Sequence, residues 1–343
     1  MASKRATREE LESLRKHFQD RFHEWQSLGT DLKSYFIDFF DFKTRLSLKF
    51  CSKTEKELVE QSRMHISVIK ISDVFPKFPN FTTVTVKIAS GAENRYQTHF
   101  KERREESHVV TRNGARVSGE KSCHELGVEL FEDVLEKCGY GVKDVTVNLD
   151  TIEYPMAKSR IKYLRNARKV YIRTRTDEEL HFWLEKVPEQ LDQLIMPFRH
   201  LPFKTEHFEM PHLRNAKTLV CYGRADVTDA QLLELRATHL LLSGTLPLLT
   251  RHGVNRYLRR WQCGDDVTVD FRRLELIGIR SDGSDGEGVL LEGVNARKVG
   301  LELRVDFMET RVVTRSSPRD SRILERLLMH FDSSRIEIRK IDD

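Results

Sequence analysis

Apolar residues recur with a helical period at the start of the chain. Thr7 to Glu10 has the pattern of a capping box, in which a threonine hydroxyl and a glutamate satisfy free backbone donors at a helix start. Three- and four-residue spacings separate Leu11, Leu14, Phe18, Phe22 and Trp25. The pattern predicts an amphipathic helix over residues 1–26. Its apolar stripe is expected to pack on the following domain or, alternatively, to pair with a second copy.

Three short helices are predicted next, over residues 27–64. Thr30 and Asp31 are placed to cap the first, Asp41 the second, and Thr54 to Glu57 the third. Their apolar residues are Leu32, Tyr35, Phe36, Phe39, Phe40, Leu46, Leu48, Phe50, Leu58 and Val59. Because so small a unit has a large surface for its volume, it can scarcely bury these side chains by itself. We therefore expect it to bind another protein.

The apolar period changes to two beyond this unit. Val84, Val86 and Ile88 alternate with polar residues, as in strands with one buried face. The change predicts a second domain over residues 65–343. Within it, the stretch 91–121 is dense in Arg, Glu, Ser and Asn, and we expect a solvated or mobile insertion there.

The second domain contains a repeated segment. Leu164 to Val170 reads LRNARKV, and Leu213 to Leu219 reads LRNAKTL. Weaker echoes begin at Leu191 and Leu235, which gives a period of about 22 to 27 residues. Each unit is predicted to contain a helix, a turn, a short strand and a loop. The predicted strands are Lys169 to Arg173, Thr218 to Tyr222, His239 to Leu242 and Arg273 to Ile279.

A period of this length suggests leucine-rich-repeat-like stacking, in which each unit completes the core of its neighbour. The repeats are irregular and lack the consensus asparagine, so an ordinary α/β domain remains the alternative. A terminal helix with Ile323, Leu324, Leu327 and Leu328 is expected to join the core. The predicted fold class is α+β or α/β: an N-terminal helix and a three-helix unit, followed by an irregular leucine-rich-repeat-like α/β domain.

Composition places the chain among soluble globular proteins. Of its 343 residues, 39% are hydrophobic and 32% are charged. The first residues are charged, without an early apolar segment, and no uninterrupted apolar run approaches ~18 residues. We expect a protein of the cytoplasm, the nucleus or both, without a membrane partner.

No motif predicts catalytic, cofactor-binding or metal-binding residues. The five cysteines are scattered and include no C-x-x-C pair, so we expect reduced structural thiols. Cys123 and His124 are sequence neighbours without further support as a catalytic pair. The glycine-rich stretch 280–288 lacks the Gly-Lys-Ser/Thr ending of a phosphate-binding loop and the carboxylate spacing of a calcium loop. We therefore expect a protein that is not an enzyme.

The distribution of charge adds one candidate surface. The formal net charge is only +5, but the stretch from Lys158 to Arg175 contains eight basic residues and no acidic one. A solvated helix face with salt bridges is the favoured interpretation. A nucleic-acid-binding protein that uses this stretch is the alternative function, although nucleic acid is not the expected partner.

Two parts of the chain resemble one protein family. Leu28 to Leu32, Phe39 to Leu48 and Cys51 to Lys53 are similar to an F-box of the nematode type. Val227 to Leu235, Asn255 to Gly264, Leu274 to Leu276 and Val289 to Val294 resemble the F-box-associated type 2 domain of the same families, over about residues 210–300. The two signatures occur in the expected order.

The resemblance implies the substrate-recognition subunit of an SCF-type ubiquitin ligase. The F-box would dock on a Skp-family adaptor and its cullin complex, and the C-terminal domain would hold an unknown protein target. The expected adaptor-binding residues are Leu28, Leu32, Phe36, Phe40, Leu46, Leu48 and Phe50. Gly29 stands where the family usually has proline, which leaves the entry to the first helix looser. A non-ligase interaction scaffold is a further alternative.

Overall fold

A computed structural model describes the chain in segments: residues 25, 27–62, 65–74, 81–90, 94–103, 110–112, 115–117, 121–151, 153–197, 201–262, 273–279, 296–299, 302–309, 323–331 and 335–340. The described residues form two compact units. The first contains those up to His65 together with Ala89–Tyr96; the second contains Ile66–Ile88 and those from Gln97 onwards. Apart from Trp25, the predicted helix over residues 1–26 lies outside the described residues.

The first unit contains the three predicted helices. They are α1 (Thr30–Ile37), α2 (Phe42–Lys49) and α3 (Lys53–Gln61). The prediction that Asp41 caps α2 is confirmed, since its carboxylate accepts a hydrogen bond from the Thr44 N–H at 2.7 Å. The ring centroids of Phe42 and Tyr96 lie 4.8 Å apart, so α2 contacts the Ala89–Tyr96 segment of the same unit.

The other two predicted caps are wrong. The N-cap of α1 is Gly29, which has no side chain to cap with, and Thr30 is already helical. For α3 the N-cap is Ser52, whose hydroxyl accepts a hydrogen bond from the Glu55 N–H at 3.2 Å. Ser52 and Glu55 are three residues apart, as are Thr54 and Glu57 of the predicted capping box. The helix therefore begins two residues earlier than predicted.

The second unit has strands at both ends of its sequence and alternates strands with helices between them. The helices are α4 (Cys123–Cys138), α5 (Asp177–Glu185), α6 (Pro211–Asn215), α7 (Asp229–Glu234) and α8 (Arg251–Gln262). The strands, two of which extend into the first unit, are β1 (Val68–Val74), β2 (Phe81–Ser90), β3 (Asn94–Arg103), β4 (Val110–Arg112), β5 (Ala115–Val117), β6 (Asp144–Asn148), β7 (Lys169–Arg173), β8 (Gln193–Met196), β9 (Thr218–Tyr222), β10 (His239–Leu246), β11 (Arg273–Ile279), β12 (Ala296–Val299), β13 (Glu302–Glu309), β14 (Ile323–Phe331) and β15 (Arg335–Lys340).

The described strands form one mixed sheet. Their order across it is β12-β13-β14-β15-β11-β10-β9-β8-β7-β6-β1-β2-β3-β4-β5. From β1 through β6 to β11, each strand pairs in parallel with its neighbour. On one side of these strands, β11, β15, β14, β13 and β12 pair in that order, and each pair is antiparallel. On the other side, the pairs β3-β4 and β4-β5 are antiparallel as well. The fold is therefore α+β or α/β with helices at its N-terminal end.

The parallel strands follow one another along the chain at a nearly constant spacing. Strands β6 to β10 begin at residues 144, 169, 193, 218 and 239, that is, every 21 to 25 residues. Each buries side chains on one face, such as Val170 and Ile172 in β7 and Leu219 and Cys221 in β9, where Val220 is buried as well. The predicted strands at β7, β9 and β11 have the observed bounds, and β10 continues four residues beyond its predicted end.

The repeated sequence segments occupy corresponding places in the fold. Leu164 and Ala167 precede β7, Leu213 and Ala216 precede β9, and all four side chains are buried. The segment before β9 contains α6, whereas the segment before β7 is a turn. The repetition therefore reflects a leucine and an alanine side chain that are buried just before each of two alternate strands, β7 and β9.

In its described residues the stretch 91–121, predicted to be a solvated or mobile insertion, contains β3, β4 and β5, so part of its polar composition belongs to sheet strands. One further prediction is wrong. Ile323 to Leu328 forms part of β14 and not a helix. The five apolar residues among Ile323 to Met329 are compatible with the period of a helix and with that of a strand. A strand forms because the segment pairs with β13 and β15. The glycine-rich stretch 280–288 lies outside the described residues.

None of the helices in the described segments has the length and apolar character that a bilayer span requires.

Two glycines allow the close approach of β9 and β10 at their carboxyl ends. Gly223 and Gly244 have φ angles of 111° and 149°, in the region that other residues rarely adopt. The Gly223 N–H donates to the Ser243 carbonyl at 2.6 Å. A β-carbon at Gly244 would overlap the Gly223 carbonyl group. Glycine is therefore required at residue 244 for both conformation and space.

Replacement of Gly244 by alanine should destabilise the protein. We expect G244A to lower the free energy of unfolding by at least about 1 kcal/mol, because the strained φ and the overlap with Gly223 are both unfavourable. Urea unfolding of the complete chain measures the effect. S243A, a neighbouring change without strained backbone, is the matched control. Equal unfolding midpoints for the two variants would contradict the expectation.

Candidate functional site

The first unit has a small apolar core. Its buried side chains are Trp25, Ile37, Leu48, Leu58 and Val59, and those of Leu28, Phe36 and Phe40 pack against it partly buried. The rings of Trp25 and Phe40 lie 5.7 Å apart between centroids. All three helices contribute to this core, which holds them in a fixed arrangement.

A buried ion pair crosses the core from α1 to α3. The Lys33 Nζ lies 3.1 Å from the Glu55 Oε1, and the two side chains are only 11% and 10% exposed. The same ammonium lies 5.7 Å from the centroid of the Trp25 ring, within the range of a cation–π interaction. A buried charge is tolerated only when it is paired and hydrogen-bonded, and both conditions are met here.

The pairing also changes the acidity of Glu55. Burial alone would raise the pKa of its carboxyl group, but the hydrogen bond and positive charge of Lys33 outweigh burial, with further hydrogen bonds from the Glu55 backbone and Trp25. The net result is a pKa below the usual glutamate value. Glu55 is therefore charged at neutral pH.

A second buried cation joins the ends of α1 and α3. Arg45, on α2, has a side chain that is 4% exposed. Its Nε donates to the Phe40 carbonyl at 3.1 Å, and its Nη1 donates to the Ser62 hydroxyl at 2.7 Å. Its Nη2 lies 3.8 Å from the Asp38 carboxylate. One guanidinium thus contacts the segments that follow two different helices.

Several large apolar side chains of the unit remain exposed. Leu32, Tyr35 and Phe39 are 53%, 59% and 47% exposed. They follow one another at helical spacing, and the rings of Tyr35 and Phe39 lie 5.1 Å apart between centroids. We name these three residues the α1 patch. Phe50, after α2, is 84% exposed.

The structure divides the seven predicted adaptor-binding residues by burial. Leu48 belongs to the core, whereas Leu32 and Phe50 are exposed. Leu28, Phe36, Phe40 and Leu46 are half-buried. Sequence reasoning placed Tyr35 and Phe39 on the apolar face of α1 but left them out of this set, because periodicity alone does not distinguish the buried side of a helix from the exposed one.

Gly29 has a backbone conformation that suits proline. Its φ is −63° and its ψ is 155°, and no atom lies within 4 Å of the place of a β-carbon. The carbonyl of Gly29 accepts the first hydrogen bond of α1, from the Lys33 N–H at 3.0 Å. Glycine is therefore not required at this residue by sterics.

His124, next to Cys123 in the second unit, does not activate the Cys123 thiol as a nucleophile. The Cys123 Sγ lies 3.7 Å from the His124 Nδ1. Burial and the neighbouring Glu102 carboxylate raise the pKa of the Cys123 thiol to about 12, and burial lowers the pKa of His124. Because a reactive cysteine needs a lowered pKa, this thiol stays protonated and unreactive at neutral pH.

A group of possible metal ligands escaped the sequence analysis. Asp177, Glu206 and His207 bring ligand atoms within 4.8 Å of one another. The Lys204 ammonium lies 2.8 Å from the Asp177 Oδ2 and 3.6 Å from the Glu206 Oε1. The His207 Nδ1 accepts a hydrogen bond from the Lys204 N–H at 3.0 Å. Lysine thus supplies the positive charge that a metal would otherwise bring.

The basic stretch from Lys158 to Arg175 is not a helix face. It runs from a short 3₁₀ turn through irregular backbone into β7. Arg160 lies 2.7 Å from the Asp133 carboxylate and 3.0 Å from that of Glu136, and Arg173 lies 2.9 Å from Asp150. Acidic residues from elsewhere in the chain therefore neutralise part of the stretch.

Comparison with known proteins gives one relevant similarity. A Caenorhabditis elegans protein named uncharacterized F-box protein T20B12.4 is 26% identical over 267 residues, which cover 72% of this chain and 68% of that protein. No family model matches the chain, and no solved structure matches it. The similarity supports the resemblance to a nematode-type F-box protein; it does not show an F-box-associated type 2 domain.

Removal of the Arg45 side chain should destabilise the first unit. In R45M the Phe40 carbonyl and the Ser62 hydroxyl lose their buried donor, which costs about 1–3 kcal/mol. Hydrogen–deuterium exchange of α1 and α3 in the complete chain measures the loss. The matched control is K43M, which removes an exposed charge from the same helix. Exchange rates that are equal in the two variants would contradict the role assigned to Arg45.

The first unit should also lose stability in acid through Glu55. A carboxyl group whose pKa is lower in the folded state stabilises the fold above its unfolded pKa, and this contribution disappears as pH falls through the folded value. We therefore expect faster exchange in α1 and α3 as pH falls below the usual glutamate range. In E55Q this acid-induced increase in exchange should be absent, once the rates are corrected for the intrinsic pH dependence of amide exchange. E57Q changes an exposed residue of α3 and is the control; it should retain the acid-induced increase in exchange.

Proposed function

We propose that the chain is the substrate-recognition subunit of an SCF-type ubiquitin ligase. In this proposal the F-box over residues 27–64 docks on a Skp-family adaptor, and through it on a cullin complex, in the cytoplasm or nucleus. The domain over residues 65–343 binds a protein target. The chain acts as an adaptor and carries out no chemistry of its own.

The α1 patch is the observation that carries the proposal. Leu32, Tyr35 and Phe39 expose apolar surface on a unit that already has a closed core beneath them. Neighbouring exposed apolar side chains on a small unit are typical of a protein-binding surface. The named F-box protein of C. elegans supports the identity of the partner, since an F-box suggests a Skp-family adaptor.

We further propose a division of labour among the seven sequence-predicted residues. Leu32 and Phe50 contact the adaptor, together with Tyr35 and Phe39. Leu48 shapes the unit from its core, and the half-buried Leu28, Phe36, Phe40 and Leu46 support the contact surface. The exposed fractions of these side chains support this assignment.

The target-binding part is proposed to be an irregular leucine-rich-repeat-like array, with the F-box-associated type 2 region at about residues 210–300. The spacing of 21 to 25 residues between the starts of β6 to β10, together with their parallel order, supports this view. Tyr171, Ile195, Val220 and Leu241 lie in register across four neighbouring strands. In this row Tyr171, Ile195 and Leu241 are half-buried and Val220 is buried, so only part of the row is open to a partner.

The alternative as a nucleic-acid-binding protein gains no support from the basic stretch. Arg160 and Arg173 are engaged by carboxylates of the chain itself, which reduces the positive charge available to phosphates.

A non-ligase scaffold is distinguished from a ligase subunit by its effect on partners. The ligase proposal requires that the bound target is turned over in a ubiquitin-dependent manner.

Adaptor binding by the complete chain tests the proposal. We expect a complex with a nematode Skp-family protein at micromolar concentrations, and we expect L32D to weaken it by at least about tenfold, because a charge would replace an apolar contact. Isothermal titration calorimetry measures both affinities. L248D is the matched control, since Leu248 is 47% exposed but lies in the second unit.

Two results would contradict the proposal. The absence of any complex with the unmodified chain at micromolar concentrations would remove the ligase function. Equal weakening by L32D and L248D would remove the α1 patch as the contact surface.

A further inference from the structure

Exposed cations gather at one edge of the second unit, where β6 and β7 begin. Lys143 comes directly before β6, and Arg168 and Lys169 stand at the start of β7. The N–H groups of Arg168 and Lys169 donate to the Lys143 carbonyl at 2.7 and 3.0 Å, so the two turns lie side by side. Lys162 and Arg165 belong to the turn before β7. All five residues are exposed, and we name them the basic edge: Lys143, Lys162, Arg165, Arg168 and Lys169.

The basic edge has an excess of positive charge. None of its five side chains forms an ion pair with a carboxylate in the described segments, in contrast to that of Arg160. Asp192 lies at the start of the next strand, but its carboxylate is already paired with the Lys217 ammonium at 2.8 Å. Asp144 is the register partner of Lys169 and offsets one of the five charges. The other charges are available to an anionic partner.

Two tyrosines are exposed beside these cations. Tyr163 comes between Lys162 and Arg165 in the sequence and is 56% exposed. Tyr140 is 41% exposed, and its carbonyl accepts a hydrogen bond from the Asn166 side-chain amide. That bond joins the Tyr140 segment to the turn that carries Tyr163. Tyrosine has an apolar ring and a polar hydroxyl, and it is enriched at the boundary between bilayer and water.

The extent of the basic edge favours a broad anionic surface over a nucleic-acid strand. The segment that follows α5 adjoins the basic edge, since the Leu164 N–H donates to the Lys186 carbonyl at 2.7 Å. Glu185 and Glu189, on either side of Lys186, are exposed. A single-stranded nucleic acid needs cations along a continuous groove, and these carboxylates interrupt such a path. The surface of an anionic bilayer needs only a cluster of cations that project together.

We propose that the basic edge binds the surface of a membrane that contains anionic lipids, with the ring of Tyr163 in the headgroup region. The negative potential of such a surface attracts clustered Lys and Arg side chains. This binding is peripheral and needs no helix that crosses the bilayer, so it is compatible with the helices of the described segments. It departs from the expectation, drawn from the sequence, that the chain has no membrane partner. The inference goes beyond the proposed function and does not depend on adaptor docking.

Cosedimentation of the complete chain with lipid vesicles tests the inference. We expect binding to vesicles of phosphatidylcholine and phosphatidylserine but not to vesicles of phosphatidylcholine alone, and we expect salt to weaken it by screening the charges. The double variant K162Q/R165Q should bind at least about tenfold more weakly, since each cation near an anionic surface contributes about fivefold. The matched control is K87Q/K101Q, which removes two exposed cations from β2 and β3 of the same unit.

A second pair of variants tests the role of the tyrosine ring. Y163S should lose part of the binding to the mixed vesicles, because serine has no ring to place in the headgroup region. Y163F keeps the ring and should bind as the unmodified chain does. Attraction by charge alone would not distinguish the two variants.

Several results would overturn the inference. Equal binding to the two kinds of vesicle would do so, as would equal effects of K162Q/R165Q and K87Q/K101Q or equal binding by Y163S and Y163F. Displacement by soluble glycerophosphoserine at the concentration of the lipid would show a site for a single headgroup instead of a membrane surface. Tighter binding to a thymidine oligonucleotide than to the vesicles would show a nucleic-acid surface. No adaptor is present in any arm, so adaptor binding remains a separate measurement.

Discussion

The ion pair between Lys33 and Glu55 joins the first and third helices at a distance of 3.1 Å inside a very small core. With Arg45 it replaces part of the apolar contact that three helices of eight or nine residues cannot supply. These charges depend on geometry: each is acceptable only while its partners remain in place. The same arrangement determines which face of α1 is buried, and so which apolar residues remain exposed. The proposed docking surface therefore depends on two buried cations that do not themselves belong to it.

Sequence reasoning predicted the elements whose local pattern has a single solution. Residues Lys169 to Arg173 and Thr218 to Tyr222 form strands with the expected bounds, because in each a short apolar stretch follows the repeated sequence segment. The three helices of the first unit were also predictable from the spacing of their apolar residues, although of their caps only Asp41 was predicted correctly. The start of α3 was predicted at Thr54, but Ser52 and Glu55 have the same three-residue spacing and form the observed cap.

The parts that could not be predicted depend on contacts between distant residues. Lys33 and Arg45 look like ordinary surface charges in the sequence, since their partners Glu55 and Ser62 lie 22 and 17 residues away. The basic edge has the same origin, because Lys143 lies beside Arg168 and Lys169 only through the pairing of β6 with β7. Likewise, the apolar residues of β14 fit a helix until their strand partners are known.

The consecutive order of the parallel strands also bears on how the protein folds. From β7 to β10 each strand pairs with the strand that precedes it in the chain, so every new pairing closes a loop of only some twenty residues. Closing short loops costs little entropy, and structure can spread from one neighbour to the next. The pairing of Val68 in β1 with Asp144 in β6 spans a much longer loop. We therefore expect the central strands to form early and β1 to join them late.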